Sequence, residues 1–287
     1  MTLLLEDWTG LLLRHEAKVM KPSSLILPFT PERSRAEIVD GLRRLLPKLE
    51  NASYGKCAFS FGLPMLDAHL PRGAIAGGAL HEVVPESEGD LPAAFGFAAA
   101  LLGRMPCEGP MLFVISPRAL AAYGRPHGHG LDELGLDPSR LILVETENEM
   151  QALWALEEAL RSAVPAAVAG AIGHELDLKT SRRLHLAAGN SGLPLILLSA
   201  ATGMGSSAAA TRWRVRAAKA ARDRFGLPAH WRWRLRLERC RNGRLGEWLV
   251  EWDHVAYRFS LAAPMADLAF PHGAREQPFR ARAADRS

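Results

Sequence analysis

The chain has 287 residues, a formal net charge of +4 and 48% hydrophobic residues, which fits one large globular domain or one domain with appendages. Its three cysteines, Cys57, Cys107 and Cys240, lie far apart without C-x-x-C spacing. This spacing argues against a disulfide framework or a zinc site and favours a reducing compartment.

Residues 1–56 are expected to form an N-terminal extension with one clear element, a helix over 34–50. Ser34 is placed to cap that helix, and Glu37 stands three residues further on as in a capping box. One side of the helix carries an apolar stripe. The stripe is suited either to docking on another protein or to covering the core of this chain, and the sequence leaves both open.

The N-terminus carries no pattern of export or membrane insertion. No run approaches the roughly 18 apolar residues of a membrane span, and acidic residues stand where a signal peptide needs basic ones. We therefore expect a cytoplasmic protein without a membrane partner. Met20 is an alternative start, so residues 1–19 need not belong to the native protein.

Strand and helix signals alternate through the middle of the chain. Short apolar runs predict strands at 81–84, 111–116, 140–146, 166–172 and 193–200. Periodic segments predict helices at 91–105, 147–162 and 177–192, with short helical pieces at 120–123 and 131–135. This order predicts an α/β fold whose mostly parallel sheet is flanked by helices.

After Thr202 the apolar period changes to two, which is typical of antiparallel strands. The segments 211–218, 230–240, 246–252 and 255–263 carry this pattern. Asn242 and Gly243 predict a type I′ hairpin turn, because both tolerate positive φ. The core is therefore expected over 57–263, followed by a flexible tail over 264–287.

The antiparallel region is strongly basic. The stretch from Arg212 to Arg244 contains twelve basic and two acidic residues. Its net charge is therefore +10, and the rest of the chain has a net charge of −6. Period two places Trp231, Trp233 and the leucines after them on a core face. The other face carries the candidate DNA-binding or acidic-partner residues Arg212, Arg214, Arg216, Arg232, Arg234 and Arg236. An anionic partner and a merely solvated face both fit this pattern.

A degenerate phosphate loop stands between the first strand and the first core helix. The run V-P-E-S-E-G-D-L from Val84 resembles the RecA phosphate loop, Gly-Pro-Glu-Ser-Ser-Gly-Lys-Thr. Val84 replaces the first glycine, Gly89 matches the second, Asp90 replaces the lysine and Leu91 replaces the threonine. Asp90 repels phosphate where lysine attracts it, and Leu91 cannot bind magnesium, so no nucleotide cofactor is expected.

Two further residues that RecA uses for nucleotide chemistry are absent from the matching positions of this chain. The strand that in RecA ends in the catalytic glutamate ends here in Ser116 and Pro117. The strand that should end in the Walker B aspartate carries Gly170 and Ala171. The loss of all three nucleotide elements predicts that the protein is not an enzyme.

His127 and His129 lie close together but have no third ligand nearby in the sequence, so no metal site is expected.

The resemblance to RecA covers roughly residues 57–261. It includes FSFGLPMLDAHLPRGAIAGGALHEV before the loop, and the hairpin region 230–253 in the place of RecA's closing hairpin. The helix over 34–50 resembles the one by which RecA protomers dock on each other, so RecA is a candidate partner. The segment 202–210 stands where RecA has a DNA-binding loop but contains no Lys or Arg. RecA-type filament binding to DNA is therefore not expected.

Within the RecA-like proteins, five segments resemble the ImuA family. They are LPMLDAHLPRGAIAGGALHEV, LWALEEALRS, DLKTSRRLHLAA, TRWRV and GEWLVEWD. The resemblance implies an accessory protein of damage-inducible translesion synthesis that contacts ImuB, an inactive Y-family polymerase homologue. It also implies a relationship with RecA and with an error-prone polymerase α subunit. The alternatives are a RecA-type ATPase with an atypical nucleotide site and a stand-alone basic DNA-binding module.

Overall fold

A computed structural model describes residues 57–199, 205–222, 225 and 227–262. The predicted N-terminal extension 1–56 with its helix over 34–50, and the predicted tail 264–287, lie outside the described residues. The described residues comprise the core and most of its C-terminal strands.

The described chain alternates strands and helices before it becomes all strand. The strands are β1 Leu80–Pro85, β2 Met111–Ile115, β3 Leu141–Glu145, β4 Ala167–Ala171, β5 Leu195–Leu198, β6 Thr211–Arg222, β7 Pro228–Cys240, β8 Gly246–Asp253 and β9 Arg258–Leu261. The helices are α1 Pro64–Asp67, α2 Leu91–Arg104, α3 Gly128–Asp132, α4 Glu149–Ser162 and α5 Leu178–Ser191. Side chains cap the two longest amphipathic helices, since Asn148 accepts from Gln151 N–H and Asp177 accepts from Thr180 N–H.

In the described residues the strands form one sheet in the order β3-β2-β4-β5-β1-β6-β7-β8-β9. The pairs from β3 to β6 are parallel, and those from β6 to β9 are antiparallel. The α/β fold class is thereby confirmed, including the change of strand direction late in the chain. The architecture is that of a RecA-like core.

The two faces of the sheet are covered differently. One face packs along its length on α2 and the segment before β1, with Phe61, Phe97 and Trp213 fully buried between them. The other face packs on α4 and α5, which contact β1, β2 and β4 and bury Leu156 and Leu184. Over β6–β9 that second face carries mainly arginine and glutamate, with Leu249 among them. The arginines predicted for one face of these strands therefore lie on the side away from α2.

Two local predictions were wrong. The β7–β8 connection spans 241–245 rather than two residues, and only Asn242 in it has a positive φ, so it is not a type I′ turn. Gly243 lies close to the chain before β1, because a Cβ there would clash with the carbonyl oxygen of His69. Residues 120–123 form turns rather than a helical piece.

One pair of cysteines departs from the expectation that the chain lacks a disulfide framework. Cys57 and Cys107 form a disulfide with their Cα atoms 5.6 Å apart, although 50 residues separate them in sequence. Sequence spacing did not indicate this, because the segment before β1 folds back beside the end of α2. Cys240 is free, and burial raises the pKa of its thiol.

Candidate functional site

The counterpart of the phosphate loop lies between β1 and α2. Strand β1 continues through Pro85, which pairs with Val215 of β6, and Glu86 N–H then donates to the carbonyl of Val215 at 2.9 Å. A short 3-10 turn over Glu88–Asp90 leads into α2. The first glycine position of a phosphate loop, here Val84, is therefore a buried strand residue within the sheet.

Asp90 occupies the lysine position and ties the loop to β6. One carboxylate oxygen accepts a hydrogen bond from the backbone N–H of Ala217 at 2.9 Å. The other accepts from the Ser87 hydroxyl at 2.6 Å. The residue is only 9% exposed. A negative charge thus holds the strand and the loop together at the place where a phosphate requires a positive one.

The other positions of the loop give little support for anion binding. A Cβ on Gly89 would meet only the Ser87 hydroxyl, at 3.9 Å, and its φ is not positive, so the backbone does not require glycine there. Leu91 packs against the apolar core. Pro92 follows at the start of α2 and has no N–H, which removes one donor that a helix N-terminus offers to phosphate.

The crevice between the ends of β2 and β4 is closed by Glu149. This carboxylate reaches in from the first turn of α4, where its Oε1 accepts from the Ser116 hydroxyl at 2.8 Å and from Gly173 N–H at 3.0 Å. His174 Nδ1 lies 3.4 Å from the second carboxylate oxygen. In open α/β sheets this carboxyl edge is where ligands bind, and between β2 and β4 the Glu149 carboxylate occupies it.

The Walker B counterpart is filled by packing. A Cβ built on Gly170 would stand 2.9 Å from the Cδ2 atom of Leu156 on α4, so glycine lets that helix approach β4. Ala171 beside it is fully buried. The three positions that RecA uses for nucleotide chemistry therefore serve structural contacts in this chain.

The predicted core face of β7 is largely confirmed. Trp233, Leu235 and Leu237 are buried against α2 and neighbouring strands. Trp231 was also predicted to be core, but it is 39% exposed. It lies towards the end of the sheet, where fewer residues cover that face.

The opposite face, called the arginine face, was predicted as a candidate surface for DNA or an acidic partner. Its residues are Arg212, Arg214, Arg216, Arg232, Arg234 and Arg236. Glutamates pair with five of these six, namely Glu82 with Arg212, Glu238 with Arg214 and Arg236, Glu251 with Arg232, and Glu247 with Arg234. Arg212 and Arg214 are moreover buried, each at 8% exposure. The face is an array of alternating charges rather than a row of free cations.

Like charges nevertheless stand opposite each other across β6 and β7. The register pairs Arg214 with Arg236 and Arg216 with Arg234. Glu238 offsets the first pair: burial raises its pKa, but the hydrogen bonds and charges of Arg214 and Arg236 outweigh burial and hold that pKa below its ordinary value. Arg216 is exposed and makes no ion pair within the described residues. Directly opposed like charges destabilise a sheet, and in the described part of the chain no carboxylate offsets the charge of Arg216.

A buried ion pair anchors the counterpart of RecA's DNA-binding loop. Glu82 of β1 is 2% exposed and lies 2.7 Å from the Arg212 guanidinium. Its other oxygen accepts from the Ser207 hydroxyl, while Arg212 donates to the carbonyl of Gly205 at 3.0 Å. In residues 205–210, the described part of this segment, the chain is thus held against the sheet and does not extend into solvent as a DNA-binding loop would.

Some of the residues that sequence reasoning missed had a signal that could have found them. Glu82 stands inside an apolar strand, and a buried charge there requires a partner. Glu247 and Glu251 alternate along β8, so a hairpin register would have placed them beside the arginines of β7. Glu149 had no such signal, because its contact with Ser116 joins residues 33 positions apart.

Two known proteins of similar sequence carry the same name. No family model matches the chain. Protein ImuA of Caulobacter vibrioides (strain NA1000 / CB15N) is 34% identical over 228 residues, which cover 72% of this chain and 90% of that protein. Protein ImuA of a second strain, ATCC 19089 / CIP 103742 / CB 15, matches to the same extent. Among the described residues no helix is long and apolar enough to cross a membrane.

Proposed function

The chain belongs to the ImuA family, and on that premise we propose that it is a non-catalytic accessory protein of damage-inducible translesion DNA synthesis. In this role the RecA-like core is a scaffold that brings partner proteins together. It works in the cytoplasm, as part of the SOS response, and needs no cofactor.

The observation that carries the non-catalytic role is the pair of hydrogen bonds made by Asp90. Because its carboxylate accepts from Ala217 N–H and from Ser87, the loop is held by the group that replaces the phosphate-binding lysine. A nucleotide would have to displace these contacts and then meet a negative charge. The closure of the β2–β4 crevice by Glu149 supports the same role, since it removes a second place for a phosphate or a catalytic water.

The partners that we propose are an ImuB-like inactive Y-family polymerase, RecA, and an error-prone polymerase α subunit. A RecA-like fold without nucleotide chemistry still offers large surfaces for other proteins. The arginine face supports a protein partner, because its alternating arginines and glutamates suit a surface of mixed charge better than a uniform polyanion.

The role is tested by deleting the gene and measuring the frequency of ultraviolet-induced mutations. We expect the deletion strain to lose most induced mutagenesis and to regain it when the wild-type gene is returned. We also expect the purified chain to capture the ImuB-like polymerase from the same organism. An unchanged frequency of induced mutations in the deletion strain would exclude the proposed role.

A second candidate function is binding of DNA by the arginine face. The cross-strand opposition of Arg216 and Arg234 favours it, because phosphate would relieve repulsion that protein groups leave uncompensated at Arg216. The glutamates on the same face oppose it. We therefore place DNA contact second, as an addition to protein contact rather than as a stand-alone activity.

A further inference from the structure

We propose that the β6–β7 connection and the β8–β9 turn, which lie at the same end of the sheet, form a docking surface. Its occupant is an acidic segment of a partner protein that carries apolar anchor residues. This hairpin-end surface comprises Phe225, Leu227, Trp231, Val255 and Tyr257. The inference rests on the proposed accessory function and assigns the surface through which a protein partner is held.

The topology brings these residues to one end of the sheet. Strands β6, β7, β8 and β9 are successive and antiparallel, so the β6–β7 connection and the β8–β9 turn lie at the same end. Trp231 is paired with Trp252 in the register, and its ring lies 6.5 Å from the ring of His254 in the neighbouring turn. The β7 strand and the β8–β9 turn therefore share one continuous surface.

Exposure singles out this end. Of the thirteen large hydrophobic side chains that are exposed in the described part of the chain, five belong to the hairpin-end surface. Val255 is 78% exposed, Phe225 71% and Leu227 61%. Soluble proteins rarely leave apolar side chains together at the surface unless the patch contacts another molecule.

The turn that displays Val255 is held in place. Asp253 accepts hydrogen bonds from the backbone N–H groups of Val255 and Ala256, each at 2.9 Å, and these bonds lower the pKa of its carboxyl. Tyr257 follows with φ 47°, and its carbonyl accepts from the Arg104 guanidinium at 2.9 Å. An apolar side chain on a fixed turn loses little conformational freedom on binding, which favours affinity.

Charge selects the chemistry of the occupant. The exposed cation Lys219 lies on β6 towards this end of the sheet. Arg258 begins β9 next to the turn, 4.0 Å from Asp253. A surface with apolar side chains and a basic rim attracts a segment with apolar anchors and acidic neighbours.

The test is a binding titration with the purified ImuB-like polymerase of the same organism, using the full chain. The variants are Val255→Ser and Trp231→Ser, singly and together. The matched controls are Met150→Ser and Leu186→Ser, which remove exposed apolar side chains from α4 and α5. We expect the double variant to bind about tenfold or more weakly, because anchors at a protein interface carry most of its affinity. The controls should bind like the wild type, and Val255→Ser should melt like the wild type since its side chain is exposed.

Each other outcome overturns the inference in a different way. If the wild type binds the polymerase and the double variant binds equally well, the surface is wrong while the proposed function stands. If the wild type does not bind, both fail. If the variants lose single-stranded oligonucleotide binding but retain the polymerase, the surface is a nucleic-acid site. If the wild type is a dimer and Val255→Ser a monomer in sedimentation, a second copy of this chain is the occupant.

Discussion

The Asp90 carboxylate accepts a hydrogen bond from the backbone N–H of Ala217, 127 residues further along the chain, at 2.9 Å. This bond joins the loop after β1 to the strand that begins the antiparallel half of the sheet. The position that holds phosphate in RecA-like ATPases has thereby become a structural connection between the two halves of the fold.

Replacing Asp90 with Ala should destabilise the fold by about 1–3 kcal/mol, because the Ser87 hydroxyl and the Ala217 N–H lose an ionised acceptor. The measurement is the free energy of unfolding in urea. Asp132→Ala, at an exposed position on α3, is the control and should change stability little. Equal stability of wild type and Asp90→Ala would show that the carboxylate does not hold the loop.

The Glu82–Arg212 pair should matter far more to stability than the exposed pairs on the same face. Glu82→Ala leaves a buried guanidinium without its closest acceptor, and we expect a cost of about 3–5 kcal/mol. Glu247→Ala breaks an ion pair whose side chains are 57% and 48% exposed, so we expect less than about 1 kcal/mol. Urea unfolding of both variants measures the two losses of stability. Similar losses in Glu82→Ala and Glu247→Ala would contradict this prediction.

His81 should make stability depend on pH. Burial lowers its pKa from 6.5 to about 4, and the neutral ring donates from Nε2 to the Ala76 carbonyl and accepts the Thr211 hydroxyl at Nδ1. Because the folded pKa is the lower one, the unfolded chain binds the extra proton as pH falls from 6.5 towards 4. Stability should therefore fall by about 2 kcal/mol between pH 7 and pH 5.

The control for this pH effect is His81→Gln. Burial also lowers the pKa of His185, helped by Arg241 and Arg239, so some slope of the same sign should persist in the variant. We expect most of the fall between pH 7 and pH 5 to disappear. A variant with the full wild-type slope would assign the effect to other groups.

DNA binding by the arginine face, if it contributes, should be weak and steeply salt-dependent. Changing Arg216 and Arg234 to Ala should lower affinity for a duplex and reduce the salt slope by about 1 for each phosphate that is no longer bound. Lys179→Ala with Arg182→Ala removes the same charge from exposed positions on α5 and should have less effect. Fluorescence anisotropy across a salt series measures both, and salt-insensitive binding would exclude phosphate binding at this face.

The sequence predicted the order of strands and helices well, because buried parallel strands such as Met111–Ile115 are continuous apolar runs and β7 alternates cleanly. The hypothesis of a degenerate phosphate loop is local in the same way, since Asp90 and Leu91 differ in chemistry from lysine and threonine. These features are local in sequence.

The features that the sequence did not predict depend on contacts between distant residues. The arginines of β7 are neutralised by Glu247 and Glu251 only when the hairpin register is known. The Cys57–Cys107 disulfide and the contact of Glu149 with Ser116 join segments that period and composition leave unrelated. The loop at Asn242 is longer than the dipeptide indicates, and its Gly243 lies against the carbonyl oxygen of the distant His69.

Calorimetric titration of the full chain with ATP in the presence of Mg²⁺ tests most directly whether this RecA-like core binds nucleotide. With Asp90 at the lysine position and Glu149 in the β2–β4 crevice, we expect no saturable heat up to millimolar nucleotide. Saturable binding at millimolar or lower concentration would refute a non-catalytic scaffold, because the site would then still hold the ligand that its residues are expected to exclude.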